Sequence, residues 1–498
     1  MKNENEIEKS AILKGQTLIN LSGHDRVTGV YSTYVDGVYK YLKDVNQYYD
    51  TLIINDNTIS MFLPSKTYTF IIDSKLLVSE VNGYTNPPRT HGVIILFEDG
   101  TYQTPMTSWV NVGERIEQKI KFTIENKPIK KVEIRLFTTG LSTLGKFNGE
   151  VYKVMLVEGD YANQDIPYFE GMQSVQMPVL CTTGKNLFDM NKAIDAYLDS
   201  SGGIVTLADA YNKLSDYIEI KPNTTYYYSH GGFTIPEDCK LKTLWTRYYT
   251  YDENKTKLSY GTQTLESFSL TTPTNAKYVR IGSRFIGLED AYAQLEEGTV
   301  ATTYEPYKSN ILTVNEDVEL RKVSNIQDEL DVLTGKLTQR IGEIVLDGSE
   351  NWELGTTKEN TQVFYYNSKT SIKDYNAAIC DKFRFNVAED DVEKIVMDKT
   401  GQIYIAVEKT KYESVSKFKT WLSNNNIFIQ YRLATESIKT VDLTIQDQDN
   451  QPQERMKLFP NGYINTSSST YPPILELKGI THNNKLNMAT TNGTNNTQ

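Results

Sequence analysis

The stretch that decides the fold occurs twice, as LVEGDYANQDIPY at residues 156–168 and as LEEGTVATTYEPY at residues 295–307. Six residues recur at a constant spacing of 139 positions: Leu156 and Leu295, Glu158 and Glu297, Gly159 and Gly298, Ala162 and Ala301, Pro167 and Pro306, Tyr168 and Tyr307. Six identities at one spacing indicate a duplicated module.

The similarity extends towards the N-terminus, with a spacing that falls stepwise from 169 to 139 positions. The further matches are Gly15 and Leu18 with Gly184 and Leu187, Pro64 and Tyr68 with Pro222 and Tyr226, and Ile134 with Ile281. Surface loops tolerate changes of length between fixed strands, and a period this long indicates tandem domains and not a solenoid. The sequence therefore predicts two copies of one fold, at residues 15–168 and 184–307.

Composition indicates what that fold is. The chain has 34 tyrosines and 17 phenylalanines, and short alternating segments such as TYTFIID (67–73) and KYVRIGS (277–283) are bounded by turn residues. Such segments are typical of strands in sandwiches and jelly rolls. We predict a mainly β protein with two tandem jelly-roll or β-sandwich domains, followed by a β-rich C-terminal domain with one or two short helices.

The predicted domain boundaries follow from these landmarks. They are an N-terminal anchoring segment (1–14), the first sandwich (15–175), the second sandwich (176–314), a connector (315–350), the C-terminal domain (351–482) and a mobile polar tail (483–498).

Two segments of the chain have helical patterns. In the connector the apolar positions fit a heptad, which would suit a short trimeric coiled coil, but Gly335 disfavours a helix and Thr334-Gly335 suits a hairpin tip. These positions are Val323, Ile326, Leu330, Leu333 and Leu337. We favour a brief helix running into a hairpin there, and one amphipathic helix within residues 410–426.

Charge and hydropathy exclude several classes of protein. The net charge is −11 and the chain has no long cluster of lysine or arginine, so we expect no nucleic acid partner. No stretch approaches the roughly 20 apolar residues of a membrane span, and the N-terminus lacks the apolar segment of a signal peptide. We expect synthesis in a bacterial cytoplasm and no membrane insertion.

Signatures of catalysis and of metal binding are missing from the sequence. No histidine has the spacing of a zinc ligand, and we expect Cys181, Cys239 and Cys380 to be buried small side chains. The adjacent pairs Asp390-Asp391 and Glu296-Glu297 would have to serve a glycosidase, but a solvated acidic surface explains them better. We predict no catalytic residue, no metal and no cofactor.

Four ordered motifs carry a resemblance to a known family. TGKNLFD (183–189), KPNTTY (221–226), YVRI (278–281) and QLEEGT with YEPY (294–307) resemble the carbohydrate-binding-module-like β-sandwich of tail and baseplate proteins from phages of Gram-positive bacteria. The stretches at 10–21, 331–352 and 428–443 are similar to the N-terminal and C-terminal parts of the same protein class. The first copy departs from the motifs at its ends, so the resemblance implies its fold and leaves open whether it binds a protein or nothing.

The resemblance implies a virion structural protein of a phage tail, baseplate or tail fibre. Its expected role is host adsorption through non-covalent binding of cell-surface polysaccharide, with other virion proteins and host cell-wall polysaccharide as partners and a homotrimer as the assembly. One alternative is a purely structural adaptor that binds other virion proteins without sugar affinity. The other is a hydrolase of cell-wall polysaccharide.

The candidate binding residues lie on one predicted strand of the second copy. A sugar site needs an aromatic surface with a few fixed polar groups. The candidate residues are Trp245, Arg247, Tyr249 and Tyr251 on one face, with Asp252 and Asn254 in the turn that follows. Alternatively one strand face, this one or that of Tyr248, lines the sandwich core. Trp109 and Trp352 are open to the same two interpretations.

Overall fold

The part of the chain that the structure describes is interrupted by short gaps. The structure is a computed structural model that describes residues 10–22, 32–35, 38–47, 50–53, 61–81, 84–138, 145–164, 166–206, 211–237, 239, 242–370, 372–373, 378–385, 393–454, 456–457, 459, 462–471 and 473–478. The predicted tail at 483–498, residues 1–9 of the predicted anchoring segment, and the pair Asp390-Asp391 lie outside these residues.

Strands dominate the described chain, as predicted. Up to residue 183 they are β1 (Ser10–Lys14), β2 (Thr17–Ile19), β3 (Ser32–Val35), β4 (Val38–Gln47), β5 (Asp50–Ile53), β6 (Thr67–Val81), β7 (Tyr84–Thr85), β8 (Thr90–Phe97), β9 (Tyr102–Gln103), β10 (Arg115–Thr123), β11 (Ile129–Thr138), β12 (Gly145–Glu158), β13 (Met172–Gln176) and β14 (Val179–Thr183). A short 3-10 helix (Met190–Lys192) follows.

The second copy and the connector continue the pattern. Their strands are β15 (Ala196–Leu198), β16 (Ile204–Thr206), β17 (Asn212–Leu214), β18 (Ile218–Glu219), β19 (Thr225–Gly231), β20 (Thr246–Tyr251), β21 (Lys257–Gln263), β22 (Ser267–Thr271), β23 (Tyr278–Arg284), β24 (Tyr292–Glu297), β25 (Ser309–Val314), β26 (Glu319–Leu320), β27 (Lys322–Val323), β28 (Ile326–Gln327), β29 (Glu329–Asp331) and β30 (Lys336–Leu346).

The C-terminal part contains the α-helix of the described chain. Its elements are β31 (Glu353–Thr357), β32 (Thr361–Asn367), β33 (Ala378–Cys380), β34 (Lys394–Met397), β35 (Gln402–Glu408), α1 (Val415–Asn424), β36 (Ile427–Thr440), β37 (Leu443–Asp447), β38 (Tyr463–Ser467) and β39 (Ile474–Lys478). The mainly β fold class is confirmed.

Each copy of the duplicated module is a sandwich of two antiparallel sheets. In the first copy a sheet of order β10-β6-β12-β4-β3 packs on a sheet of order β5-β11-β8-β9. In the second copy β22-β19-β24 packs on β17-β23-β20-β21. The strands that carry the repeated motifs occupy the same places in both orders, so the duplication seen in the sequence is a duplication of topology.

The two copies agree to the level of strand register. Tyr68 pairs with Glu158 in the first sandwich, and Tyr226 pairs with Glu297 in the second. The hydroxyl oxygen of Tyr68 accepts the backbone N–H of Leu63, five residues earlier, at 2.8 Å. Tyr226 accepts the N–H of Lys221 in the same way at 2.9 Å. The paired tyrosines therefore lock the same entry turn in both sandwiches.

An asparagine, and not the glycine of the sequence alignment, marks the start of each copy. The Oδ1 atom of Asn20 accepts the N–H of Leu156 at 3.1 Å, and Oδ1 of Asn186 accepts the N–H of Leu295 at 3.1 Å. The spacing between these asparagines is 166 positions. The predicted match of Gly15 with Gly184 is therefore displaced by three positions, because the side chain that bridges the strands fixes the register.

The three modules meet in a common centre, which we call the hub. It contains a six-stranded sheet of order β33-β36-β30-β29-β1-β39, a sheet of order β2-β13-β26 and a sheet of order β37-β25-β14-β38. Strand β1 therefore lies between β29 and β39, from far later in the sequence. Residues 10–14, which we assigned to an anchoring segment, are part of this central sheet.

The predicted helix in the connector is wrong. Residues 322–346 form the short hairpin β27–β28 and the hairpin β29–β30, whose tip contains Thr334 and Gly335 as predicted. Gly335 has a φ of +69°, a conformation that suits glycine. Leu330 and Leu337 belong to the hub core, and Val323 is buried on β27. The apolar residues thus serve a sheet, and their heptad spacing is incidental.

The C-terminal unit packs one helix against a sheet, as predicted. Helix α1 begins after the cap Ser414 and buries Phe418 and Leu422 against the sheet of order β31-β32-β35-β34. The ring of Phe418 stacks on Phe364 with centroids 4.3 Å apart. Trp352 is only 5% exposed and belongs to this core. Of the cysteines only Cys380 is buried, and the other two are half-buried, which corrects that prediction.

We predict that Asn186→Ala lowers the free energy of unfolding of the second sandwich by roughly 2 to 4 kcal/mol, because its amide satisfies buried backbone groups. The Asn186 side chain accepts from Phe188 and Leu295 and donates to the carbonyls of Ala293 and Glu305. Denaturant unfolding measures the change. The matched control is Asn126→Ala at an exposed position. Equal unfolding curves for the two variants would contradict this assignment.

We predict that His230→Ile makes the second sandwich less sensitive to acid. His230 is 2% exposed, and neither ring nitrogen has a hydrogen-bond partner among the described residues. Burial lowers the pKa of His230 to about 4, whereas the unfolded chain takes up this proton near pH 6.5. Stability is therefore lost as the pH falls from about 6.5 to about 4.

The substitution is matched to the first sandwich, where Ile72 occupies the corresponding position opposite Val154. Denaturant unfolding at pH 7.5 and 4.5 should show that the variant loses roughly 2 to 3 kcal/mol less than the wild type on acidification. His91, which is buried in the first sandwich, is present in both proteins and serves as the internal reference. An unchanged loss would show that His230 does not titrate in this way.

Candidate functional site

The predicted binding strand is β20, and its two faces have different surroundings. Tyr248 packs into the core of the second sandwich, with its ring stacked on Phe268 at 5.6 Å. Tyr249 and Tyr251 lie on the other face, in a separate small cluster with Leu198. The face of Trp245, Arg247, Tyr249 and Tyr251 is therefore the outer face of the sheet, and the Tyr248 face lines the core.

The hairpin β15–β16 covers part of this outer face. Arg247 Nη1 donates to the carbonyl of Leu198 at 3.0 Å, and the hydroxyl of Tyr249 donates to the carbonyl of Ser200 at 2.8 Å. Tyr249 and Tyr251 are only 4% and 3% exposed. These two tyrosines, which we predicted to bind a ligand, are therefore packed beneath the covering hairpin and have little exposed area for contact with a ligand.

The open part of this surface consists of four side chains, which we call the aromatic face: Tyr197, Trp245, Arg247 and Tyr260. The Arg247 guanidinium lies 4.8 Å from the centroid of Trp245, and Tyr197 meets the Trp245 ring edge-on at 5.7 Å. Arg247 Nε also donates to Thr262 Oγ1 at 3.1 Å. Tyr260 is 65% exposed.

Sequence reasoning missed Tyr197 and Tyr260. Tyr260 stacks on Tyr249 across the β20–β21 pair, with centroids 5.4 Å apart. Tyr260 could have been predicted from the sequence, because β20 and β21 form a hairpin and directly opposed residues of a hairpin share a face. Tyr197 could not be predicted in this way, because it comes from the covering hairpin.

The predicted turn residues lie elsewhere. Asp252 Oδ1 accepts the N–H of Thr256 at 2.7 Å, which closes the turn, and Asn254 is exposed at its tip. Trp245 and Asp252 are separated along the strand by about 20 Å. Both turn residues line a cleft between the two sandwiches, whose volume is about 1800 Å³. The predicted set therefore divides between the aromatic face and this inter-sandwich cleft.

The first sandwich has a different surface at the corresponding place. The outward positions of β11 are Lys131, Glu133 and Arg135, and Glu133 contacts both cations, at 2.5 Å from Lys131 and 3.6 Å from Arg135. Salt-bridged charges replace Tyr278, Arg280 and their aromatic neighbours. Trp109, which is 54% exposed, lies in the loop before β10. The corresponding strands β11 and β23 thus differ in their outer residues, which are charged in the first copy and include Tyr278 and Arg280 in the second.

Of the carboxylates that we considered for a hydrolase, Glu296 and Glu297 lie in the described part of the chain and are committed to other contacts. Glu296 is buried and accepts from Gln294 and from the backbone and hydroxyl of Thr302. Glu297, the next residue on β24, pairs with Lys221 at 2.8 Å. Neighbouring residues on a strand point to opposite faces, so these two carboxylates do not converge on one substrate.

Among the described residues, no three side chains of His, Cys, Asp or Glu lie together in a way that could hold a metal ion. No helix in this part of the chain is long and apolar enough to cross a membrane.

Comparison with known proteins gives structural neighbours only. No family model matches the sequence, and no curated protein matches it. The chain is similar to the N-terminal CBM22-1-CBM22-2 tandem domain of Paenibacillus barcinonensis Xyn10C, at 8% identity and a TM-score of 0.19, over 59% of this chain and 100% of that one. It is also similar to the tripod (BppUct-A-L) from the baseplate of bacteriophage Tuc2009, at 9% identity and a TM-score of 0.22, over 54% and 99%. At these TM-scores the fold assignment rests on the sheets described above.

Proposed function

We propose that the chain is a structural protein of a phage tail or baseplate and that its second sandwich binds polysaccharide on the host cell surface. The observation that carries the binding role is the aromatic face, in which the guanidinium of Arg247 lies over Trp245 and the exposed Tyr260 stacks on Tyr249. The tail or baseplate location is inferred from the motifs at 183–189, 221–226 and 294–307, which resemble those of such proteins.

The aromatic face has the chemistry that a sugar requires. A sugar ring presents an apolar C–H surface to an aromatic ring and hydroxyl groups to fixed donors and acceptors. Arg247 is held by Leu198 O, Thr262 Oγ1 and the Trp245 ring. A donor fixed in this way loses little conformational entropy when it binds a hydroxyl group.

A single site of this kind binds a sugar weakly, and several identical sites on one particle compensate for the low affinity of each. We propose a trimer on the particle, since closed symmetry presents identical sites to a repetitive polymer. Several sites that engage one surface raise the overall affinity by roughly 10² to 10⁴. The N-terminal segment or the C-terminal unit would attach the chain to the other virion proteins.

An adaptor without sugar affinity is the second candidate. The observation that favours it is the exposure of large aromatic side chains on the first sandwich, where Tyr84 is 75% and Trp109 is 54% exposed. Exposed aromatic residues are frequent at protein–protein contacts. In that case the first sandwich would bind another virion protein, and the aromatic face of the second would have no ligand.

We predict that Trp245→Ala and Tyr260→Ala each weaken binding to Gram-positive cells by about tenfold or more, because each removes a stacking surface. The measurement is binding of the labelled, purified chain to whole cells, with soluble wall polysaccharide as competitor. The matched control is Tyr102→Ala, since Tyr102 is 68% exposed on the corresponding sheet of the first sandwich.

Binding that the polysaccharide abolishes and that both variants lose supports the proposal. If Tyr102→Ala weakens binding as much as Trp245→Ala and Tyr260→Ala do, the assignment of polysaccharide binding to the second sandwich is wrong. A folded chain that binds no cells across a broad panel, yet assembles with tail proteins, would establish the adaptor instead.

A further inference from the structure

The inter-sandwich cleft is a second surface with the features of a binding site. The first sandwich contributes Asn163 and Glu117, the second contributes Tyr217 and Asn275, and strands β14 and β38 of the hub close it with Thr183 and Tyr463. Its volume of about 1800 Å³ exceeds the roughly 300 to 1,000 Å³ of sites for small ligands. The cleft therefore has the size for several units of a polymer.

Each of the three cations on the first-sandwich wall is in contact with a carboxylate of the same wall. Glu117 contacts Lys153 at 2.6 Å and Lys119 at 3.0 Å, and Arg115 pairs with Asp73 at 2.7 Å. Burial would raise the pKa of Glu117, but the hydrogen bond from Lys153 and both ammonium charges lower it below its usual value. Three cations thus share two carboxylates here, so a phosphate group would have to compete with existing ion pairs.

The second wall is neutral to slightly acidic. Lys277 pairs with Glu219 at 2.6 Å and Lys221 pairs with Glu297 at 2.8 Å. The exposed Asp216 also lines this wall. An anionic polymer gains nothing from such a surface, because the cations are already paired and extra carboxylates repel it.

Polar groups that remain available are neutral amides and one buried carboxylate oxygen. Asn163, Asn254 and Asn275 line the cleft, are exposed, and make no side-chain hydrogen bond to another described residue. Asp189 also lines it, and its buried Oδ2 atom has no hydrogen-bond partner among the described residues, the nearest cation being the Lys192 ammonium at 4.0 Å. An acceptor buried in this way requires a donor, and a hydroxyl group of a ligand would supply one.

Tyr217 provides a fixed aromatic surface in the same wall. Its ring lies edge-on to Tyr251 at 5.0 Å, and the cations of Lys255 and Arg280 lie 4.7 and 4.9 Å from its centroid. These contacts hold the half-buried ring in one orientation, with cations over its face. Tyr251 also belongs to the support beneath the aromatic face, so the two surfaces lie on the same sheet.

We infer that the inter-sandwich cleft binds an extended segment of a neutral, polyhydroxylated polymer, as a second site for the same polysaccharide. This inference rests on the proposed function. The amides and the buried acceptor match hydroxyl groups, and the ion-paired cations and the exposed carboxylate of Asp216 disfavour a phosphate-bearing polymer. One chain thus holds the polymer at two places, which raises the effective concentration at each.

The test uses the full-length chain with two probes, the neutral polysaccharide and the phosphate-bearing polymer, each purified from the walls of the cells that the chain binds. We predict that Asn163→Ala combined with Asn275→Ala weakens binding of the neutral polysaccharide by about tenfold, since two hydrogen bonds are lost. The matched control combines Asn126→Ala with Asn351→Ala, two exposed asparagines that do not line the cleft. Thermal unfolding checks that both double variants are folded.

The outcomes separate the inference from the proposed function. A loss specific to the cleft variant and to the neutral probe supports the inference. Unchanged affinity in the cleft variant, with binding still lost in Trp245→Ala, would overturn the inference and leave the aromatic face as the site. Binding of the phosphate-bearing probe alone would overturn the inference as well. No binding of either probe by the wild type would overturn both proposals.

Discussion

The buried carboxylate of Asp328 holds together the place where the modules meet. It is 0% exposed and accepts the backbone N–H groups of Arg321, Arg340 and Ile341 at 2.6 to 3.0 Å. Burial raises the pKa of Asp328 in spite of these three hydrogen bonds. Its own carbonyl accepts the N–H of Gly15 at 2.9 Å. A Cβ at Gly15 would lie 2.3 Å from Arg321 O, so only glycine allows the two segments to approach this closely.

A second polar network extends this connection across the hub. Gln430, which is 1% exposed, accepts from Thr17 Oγ1 and donates to Ser174 Oγ and to Glu343 Oε2. These residues come from β2, β13, β30 and β36, which are far apart in sequence. Buried polar groups that are fully satisfied specify one arrangement of the strands around them. The hub therefore fixes how the sandwiches and the C-terminal unit are placed, and with them the walls of the cleft.

Sequence patterns predicted what is local and missed what is distant. The repeated tyrosines Tyr68 and Tyr226 and the helix around Phe418 follow from motif spacing and periodicity. The alternation along β20 separated the Trp245 face from the Tyr248 face but did not decide which of them lines the core. The hub does not follow from such patterns, because the pairing of β1 with β39 joins segments more than 450 residues apart and leaves no local pattern. The connector is an example. Its apolar residues fit a heptad, but they lie on strands because the segment pairs with distant parts of the chain. For the same reason the hairpin over Tyr249 was not predicted.

The two sandwiches differ at three equivalent positions on the outer face of one sheet. In the first copy Ile71, Met155 and Val157 lie on the outer face of the β6–β12 pair and belong to the hub core. The corresponding residues of the second copy are Ser229, Gln294 and Glu296, and Glu296 is bonded to Gln294 and Thr302. An apolar outer face must be covered by another module, whereas a satisfied polar one need not be.

This exchange leaves the second copy less embedded than the first. Its links to the hub are single polar contacts, such as the N–H of Glu297 donating to the Tyr463 hydroxyl at 3.1 Å and the Lys221 ammonium lying 5.6 Å from the Tyr463 ring. A copy that does not have to bury its outer sheet against the hub can vary the residues on its surface.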